Sequence, residues 1–249
     1  MSESRDERVA APDSQPDPQP GEPDVPVAFE DPAYREAVID LLGVISYAEI
    51  SAFERLAEDA KLAPTLEDKM VLASLASREF LKVEPMHERI RLFGGDPYAA
   101  MAPFRTPVES FHAHTAPADY FESLVKAFVG DGLAADFYRE VAAYLDPRTR
   151  DLVISSVDSD EHAAFVVDRV GSEIARDPRT GGRLALWARR LMGEALIQAQ
   201  RVAAERDALS ALLAGGVDRP GMDLAALGRM FTRLTERHAE RMARLGLDS

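Results

Sequence analysis

Cysteine is absent from this chain of 249 residues, which excludes disulfide bonds, thiolate-ligated iron–sulfur clusters and thiol chemistry. Long apolar runs are absent too: none approaches the roughly 18 residues of a membrane helix. The N-terminus lacks the basic and apolar regions of a signal peptide. No Walker loop, dinucleotide fingerprint or nucleophile elbow occurs. These absences predict a cytoplasmic protein without a membrane partner, and they leave phosphotransfer and hydrolase chemistry unsupported.

The first 32 residues differ in composition from the rest of the chain. They hold seven of the sixteen prolines and nine acidic residues against two arginines, so half of the net charge of −14 falls here. Such a segment cannot bury enough apolar surface to fold. We expect residues 1–32 to form a disordered, acidic, proline-rich tail and residues 33–249 to form one helical domain.

From residue 34 onward, apolar residues recur at alternating steps of three and four, the period of an amphipathic helix. The pattern predicts six helices, at about 34–60, 65–93, 118–145, 148–176, 181–214 and 222–246. About 24 residues, 94–117, separate the second helix from the third. Ordinary bundle loops are shorter, whereas a crossover along a four-helix bundle needs this length. The predicted fold is all-α: a ferritin-like four-helix bundle with a long crossover and two additional C-terminal helices.

Four ionisable residues interrupt the apolar faces of the first four predicted helices: Glu49, Glu79, Asp131 and His162. The first two each lie fifteen positions from Pro64, and the other two lie sixteen and fifteen positions from Pro147. At a rise of about 1.5 Å per residue, all four lie roughly 22–24 Å from their own turn. Two packed antiparallel hairpins would therefore bring them to one level. Buried carboxylates need a partner, a proton or a cation; isolated local partners are one explanation, and we favour a shared metal site.

The fifth predicted helix carries the only tryptophan, Trp187, beside the Arg189-Arg190 pair. Aromatic residues among arginines are a feature of nucleic-acid-binding surfaces. We favour the simpler interpretation, in which Trp187 packs on the bundle and the arginines are solvated. The length of this amphipathic helix also suggests a homodimer.

Three further histidine patterns predict ordinary structural roles. Glu84 and His87 form a Glu-x-x-His pair that turns away from Glu79, so we expect a solvated surface pair. His238 lies among charged residues and has the pattern of a solvated helix face. His112 and His114 lie in the crossover, and two imidazoles without carboxylates are typical of a polar loop.

Three stretches, 47–57, 131–139 and 184–191, resemble actinobacterial ferritin-like proteins, which are grouped with the MiaE-type tRNA hydroxylases. The resemblance runs from about residue 34 to 213. It implies a non-haem di-iron centre that activates dioxygen to hydroxylate the isopentenyl group of a modified tRNA adenosine. The implied ligands are a glutamate on each of two helices and a Glu-x-x-His pair on each of the other two.

This sequence carries only part of that implied ligand pattern. Glu49 matches the first-helix carboxylate, and Glu79 begins the pair on the second helix. Lys82 stands where the histidine of that pair is expected. Asp131 is a shorter carboxylate at the position of the third-helix glutamate. The pattern could hold one metal well and two only poorly.

The fourth predicted helix retains His162, but Ser159 replaces its glutamate, and Asp158 precedes it as a further candidate. The predicted iron ligands, in a di-iron or single-metal centre, are Glu49, Glu79, Asp131, Asp158 and His162. Two functions follow. One is a di-iron-type hydroxylase (monooxygenase) acting on modified tRNA or a small molecule. The other is a non-catalytic ferritin-like protein whose degenerate metal site is closed by Lys82, acting as a structural or interaction module.

Overall fold

The computed structural model describes residues 31–157, 160–215 and 221–248, and these residues are almost entirely helical. The described residues form eleven α-helices in succession: α1 (Pro32–Asp59), α2 (Leu66–Leu81), α3 (Val83–Leu92), α4 (Pro97–Met101), α5 (Arg105–His114), α6 (Tyr120–Ala142), α7 (Pro147–Ser156), α8 (Asp160–Arg176), α9 (Pro178–Glu205), α10 (Asp207–Ala214) and α11 (Leu224–Arg244). With no strand in the described ranges, the predicted all-α fold is confirmed. None of the described helices combines the length and apolar character that crossing a membrane requires.

Two helical hairpins form the ferritin-like core: α1 pairs with α2 and α3, and α6 pairs with α7 and α8. Side-chain oxygens of Asp31, Thr65 and Asp119 accept backbone N–H bonds at the starts of α1, α2 and α6. These bonds satisfy donors that have no partner inside the helix. Asp31 and Pro32 belong to the predicted tail, but they begin α1; the rest of that tail lies outside the described residues.

The predicted crossover joins the two hairpins, and it contains helices that its prolines did not suggest. Between α3 and α6 it carries α4, a 3-10 turn at Ala102–Phe104, and α5. Pro97, Pro103 and Pro107 fall in the first turns of these elements, where a missing N–H has no intrahelical partner to lose. The crossover packs tightly on α1, since a Cβ at Gly43 would lie 2.3 Å from the carbonyl oxygen of Ala100.

The helix predicted over 65–93 is divided into α2 and α3 at Lys82. Pro85 is the cause, because it lacks the N–H that would bond to the carbonyl of Leu81 and its ring clashes with that carbonyl. Lys82 therefore ends one helix and begins the next. Its side chain leaves the backbone at this break.

The helix predicted over 181–214 is also divided, into α9 and α10, at Arg206. The Arg206 guanidinium donates hydrogen bonds of 2.9 and 2.5 Å to the two carboxylate oxygens of Asp40 on α1. This pair holds α10 against α1. The helix predicted over 148–176 is described as α7 and α8, which flank residues 158–159 outside the described part.

Two apolar clusters fill the bundle, and a polar layer separates them. One cluster includes Leu56 of α1, Leu72 of α2 and Leu124 of α6. The other includes residues of the opposite halves of the same hairpins: Ile45, Met86 and Tyr138. Between the clusters, α1, α6 and the end of α2 carry ionisable residues: Glu49, Glu79, Lys82 and Asp131. We call these four residues the carboxylate layer.

Candidate functional site

Three of the five predicted ligands converge on one cavity. Glu49 of α1, Glu79 of α2 and Asp131 of α6 all line a cavity of about 310 Å³. Glu49 and Glu79 are only 8% and 7% exposed, and Asp131 is half-buried. The similar distances from the helix turns predicted a common level for these carboxylates, and the three lie together at this cavity. Their role as metal ligands stays a prediction.

The other two predicted ligands belong to the segment around the start of α8. Asp158 lies outside the described residues, and so does the side chain of His162, although its backbone is part of α8. Ala163, the next residue, lines the cavity, so the first turn of α8 borders the carboxylates. Within the described ranges, no group of three or more His, Cys, Asp or Glu side chains is arranged to hold a metal ion.

Lys82 brings a positive charge to the carboxylate layer. Its ammonium nitrogen lies 2.5 Å from Oε2 of Glu79 and 3.6 Å from Oε2 of Glu49. Burial by itself lowers the pKa of Lys82, but attraction by Glu49, Glu79 and Asp131 outweighs burial, and the pKa is raised. The side chain is therefore an ammonium at neutral pH.

Within the layer, the surroundings of Glu49 favour its protonated form. Burial raises its pKa well above the usual range, and a hydrogen bond with Glu79 and the charges of Glu79 and Asp131 act in the same direction. The attraction of Lys82 opposes them without prevailing. A protonated Glu49 can donate to the Glu79 carboxylate, which also accepts from Lys82. The Glu49–Glu79 pair then carries one negative charge beside one ammonium.

Several other residues of the cavity wall are apolar or neutral. Phe128, Ala52 and Ala135 contribute apolar surface. Tyr138 is buried there, and burial together with the nearby Glu49 raises the pKa of its phenol, which stays neutral. Ligand-binding pockets range from about 300 to 1,000 Å³. The cavity therefore lies at the small end of that range.

Another wall of the cavity comes from α11, through Arg237, Glu240, Arg241 and Arg244. Ion pairs fasten α11 to α6. Arg233 donates to Glu140 at 2.5 Å, Arg237 donates to the same carboxylate at 3.2 Å, and Arg241 donates to Asp136.

Sequence reasoning missed this α11 wall, because arginines spaced by three and four residues are typical of a solvated helix face. One signal was available. Asp136 and Glu140 lie four residues apart on α6 and match the spacing of the arginines on α11. Pairing two helices by such a match requires knowing that they are neighbours, and only the fold supplies that.

The predictions for three histidines are wrong. His87 and His238 are buried rather than solvated, at 6% and 5% exposure. His112 lies on helix α5 rather than in a loop, and burial lowers its pKa to about 3, with Lys126 and Arg55 acting in the same direction.

The fifth predicted helix packs on the bundle through its tryptophan, as favoured. The Trp187 indole N–H donates to the buried carbonyl of Glu122 at 2.9 Å. Arg190 donates to the carbonyl of His114 at 2.6 Å, and Arg189 donates to the carbonyl of Asp248 at 3.0 Å. Both arginines therefore have partners within the protein.

Comparison with known proteins agrees with this architecture. The structure is similar to that of protein 19 with aldehyde deformylating oxidase activity from Synechococcus, with a TM-score of 0.58 and 20% sequence identity. The alignment covers 87% of this chain and 97% of that chain. At this identity the likeness shows the fold alone. No curated protein matches the sequence.

The family comparison is more specific. Residues 32–216 match the ferritin-like domain of actinomycetes. This match confirms the actinobacterial ferritin-like part of the resemblance, whereas the link to MiaE-type tRNA hydroxylases stays a prediction. Because the matched region spans most of the sequence and includes the whole bundle, the chain belongs to the ferritin-like domain family of actinomycetes.

Proposed function

We propose that this protein is a non-catalytic member of its family, a binding or interaction module whose carboxylate centre is neutralised by Lys82 and a proton. One observation carries the proposal: the Lys82 ammonium lies within ion-pair distance of both Glu79 and Glu49. Lysine stands at the position where the resemblance implies a histidine ligand. A cation built into the chain thus replaces a bound one.

The described donor set does not fit a pair of metal ions. Bundle di-iron sites take about six side-chain ligands. The carboxylate layer supplies three carboxylates, and of the two others that line the cavity, Asp136 and Glu240, the first is held by Arg241. Burial raises the pKa of Glu49 and so disfavours the deprotonated form that a ligating carboxylate needs. The Lys82 ammonium also contacts the Glu79 oxygen that a metal would need.

A second candidate, an iron-dependent oxygenase acting on a small molecule, is favoured by a different observation. The carboxylate layer borders a cavity, so neighbouring side chains do not fill all of the space beside it. This candidate requires Lys82 to turn away, with Glu49, Glu79, Asp131, Asp158 and His162 as the metal ligands. Iron would supply the dioxygen activation. The α11 arginines at the cavity include two already paired with α6, which makes a small molecule a better substrate for this candidate than tRNA.

Metal content distinguishes the two candidates. The full chain is produced with iron and manganese supplied, purified by gel filtration, and its metal measured by mass spectrometry. The closed-centre proposal expects far less than one metal per chain. If Lys82 closes the centre, Lys82→His should also retain more iron than Lys82→Met, because only the histidine adds a ligand. One or more iron atoms per wild-type chain would reject the proposal and support the oxygenase.

A further inference from the structure

Arg241 presents a buried hydrogen-bond donor that the described residues leave unsatisfied. Its Nη2 donates to Asp136, whereas its Nη1 is buried and has no partner in the described part of the chain. The side chain is 10% exposed and lines the cavity. An unmade hydrogen bond to a buried charged group is costly. An acceptor on a bound ligand would remove this cost.

Gly132 of α6 makes the room that Arg241 occupies. A Cβ at position 132 would lie 2.0 Å from Nε and 2.4 Å from Cζ of Arg241. Glycine inside a helix is about 1 kcal/mol less favourable than alanine. Helix α6 thus has a less favourable residue at the position where the Arg241 guanidinium packs against its backbone.

We propose that the cavity binds a small organic carboxylate, with the Arg241 guanidinium as its anchor. Nη1 is buried in this structure, so a ligand in the cavity bonds to it once the side chain turns. A guanidinium is planar, always charged and matched in geometry to a carboxylate, and such charge-assisted bonds are stronger than neutral ones. Arg244, which lies over the ring of Phe128, borders the same cavity and adds positive charge. Phe128 and Ala135 offer apolar surface for the body of the ligand.

The anchor belongs to a part of the chain beyond the matched family domain. The family match ends at residue 216, and α11 spans Leu224–Arg244. Ligand recognition by α11 would therefore use residues outside the matched family region. The inference holds whether Lys82 or a metal neutralises the carboxylate layer, so its test can fail independently of the proposed function.

Matched pairs of small probes test the proposal on the full chain in metal-free buffer without a carboxylate chelator: benzoate with benzamide, hexanoate with hexanamide, and succinate with succinamide. Each amide keeps the shape of its acid and lacks the charge. At tenfold excess over Kd, at least one carboxylate should raise the thermal unfolding midpoint by about 3–6 °C. Its amide should not. Equal effects within every pair, or no effect from any carboxylate, would overturn the proposal.

Variants locate the binding site. Arg241→Lys keeps a cation for Asp136 but lacks the second terminal nitrogen, and Gly132→Ala displaces the guanidinium while leaving its charge. Both should weaken carboxylate binding about tenfold or more. Arg233→Lys is the matched control, because Arg233 pairs with Glu140 on the same two helices without lining the cavity. Unchanged affinity in both test variants, or equal weakening in the control, would contradict the assignment.

Discussion

Lys82 and Glu79 form an ion pair of 2.5 Å across the break between α2 and α3, three residues apart in the chain. The break arises from Pro85, so the position of the ammonium is a consequence of local backbone chemistry. Glu79 itself is buried, and a buried carboxylate left alone would be strongly destabilising. The pair therefore stabilises the polar layer between the two apolar clusters.

Lys82→Met should lower the free energy of unfolding by about 2–4 kcal/mol, because it leaves Glu79 buried without its cation. Urea unfolding followed by circular dichroism measures the loss. Lys69→Met is the matched control on the exposed face of α2, with an expected change within about 0.5 kcal/mol. Equal stability of Lys82→Met and the wild type, in metal-free protein, would refute closure by lysine.

The two buried glutamates should respond differently to amide substitution. Glu49→Gln replaces a protonated carboxyl by a neutral donor, whereas Glu79→Gln removes the partner of Lys82. We expect Glu49→Gln to be tolerated at neutral pH and Glu79→Gln to cost about 2–3 kcal/mol. Urea unfolding of both variants at pH 7 makes the comparison. A larger loss in Glu49→Gln would show that Glu49 carries the charge.

The stability difference between Glu49→Gln and the wild type should depend on pH. The pKa of Glu49 is raised in the folded state, so the unfolded chain releases this proton first, and wild-type stability falls as pH rises above about 4.5. Glu49→Gln has no proton to release at this position, so it lacks this pH-dependent loss of stability. Its stability relative to the wild type should increase between pH 5 and 8, by at most about 1.4 kcal/mol per pH unit. A constant difference across that range would contradict a raised pKa.

His238 should make the protein sensitive to acid. Burial lowers its pKa from about 6.5 to about 4, with Arg241 acting in the same direction and Asp136 opposing. Between these values only the unfolded chain takes up the proton, so stability is present above pH 6.5 and is lost as pH falls towards 4. His238→Gln should reduce that acid loss by about 1–2 kcal/mol. An acid loss in His238→Gln as large as that of the wild type, measured by urea unfolding between pH 4 and 7, would contradict this role of His238.

Arg206→Met should destabilise the attachment of α10 to α1. Asp40 is 3% exposed and would lose both hydrogen bonds from the guanidinium, at a cost of about 2–4 kcal/mol. Arg201→Met is the control, since Arg201 is exposed and pairs with Glu205 on its own helix. Chemical unfolding compares the two. Similar losses in both variants would mean that the Asp40 pair has no special role.

Features that depend on helical periodicity were predicted correctly from the sequence. Apolar residues that recur at steps of three and four are buried, as Leu42, Met86 and Leu124 show. Counting from Pro64 and Pro147 predicted a common level for Glu49, Glu79 and Asp131, and all three line one cavity. Helix direction and rise are properties of the local chain. Such features need no knowledge of distant partners.

Features set by distant contacts could not be predicted in the same way. Arg206, at the break between α9 and α10, pairs with Asp40, which lies 166 positions away. Burial of His238 and the cavity wall on α11 depend on the docking of that helix on α6. The break at Lys82 has a local cause, the nearby Pro85, and so could have been predicted. It was missed because the apolar period continues through it and was read as one helix.

Crystallography of iron-supplied full-length protein, with anomalous data collected at the iron absorption edge, tests the central claim most directly. We predict no anomalous peak beside Glu49, Glu79 and Asp131, and a Lys82 ammonium within about 4 Å of Glu79. An iron peak bonded to these carboxylates, with Lys82 turned away from them, would contradict the account.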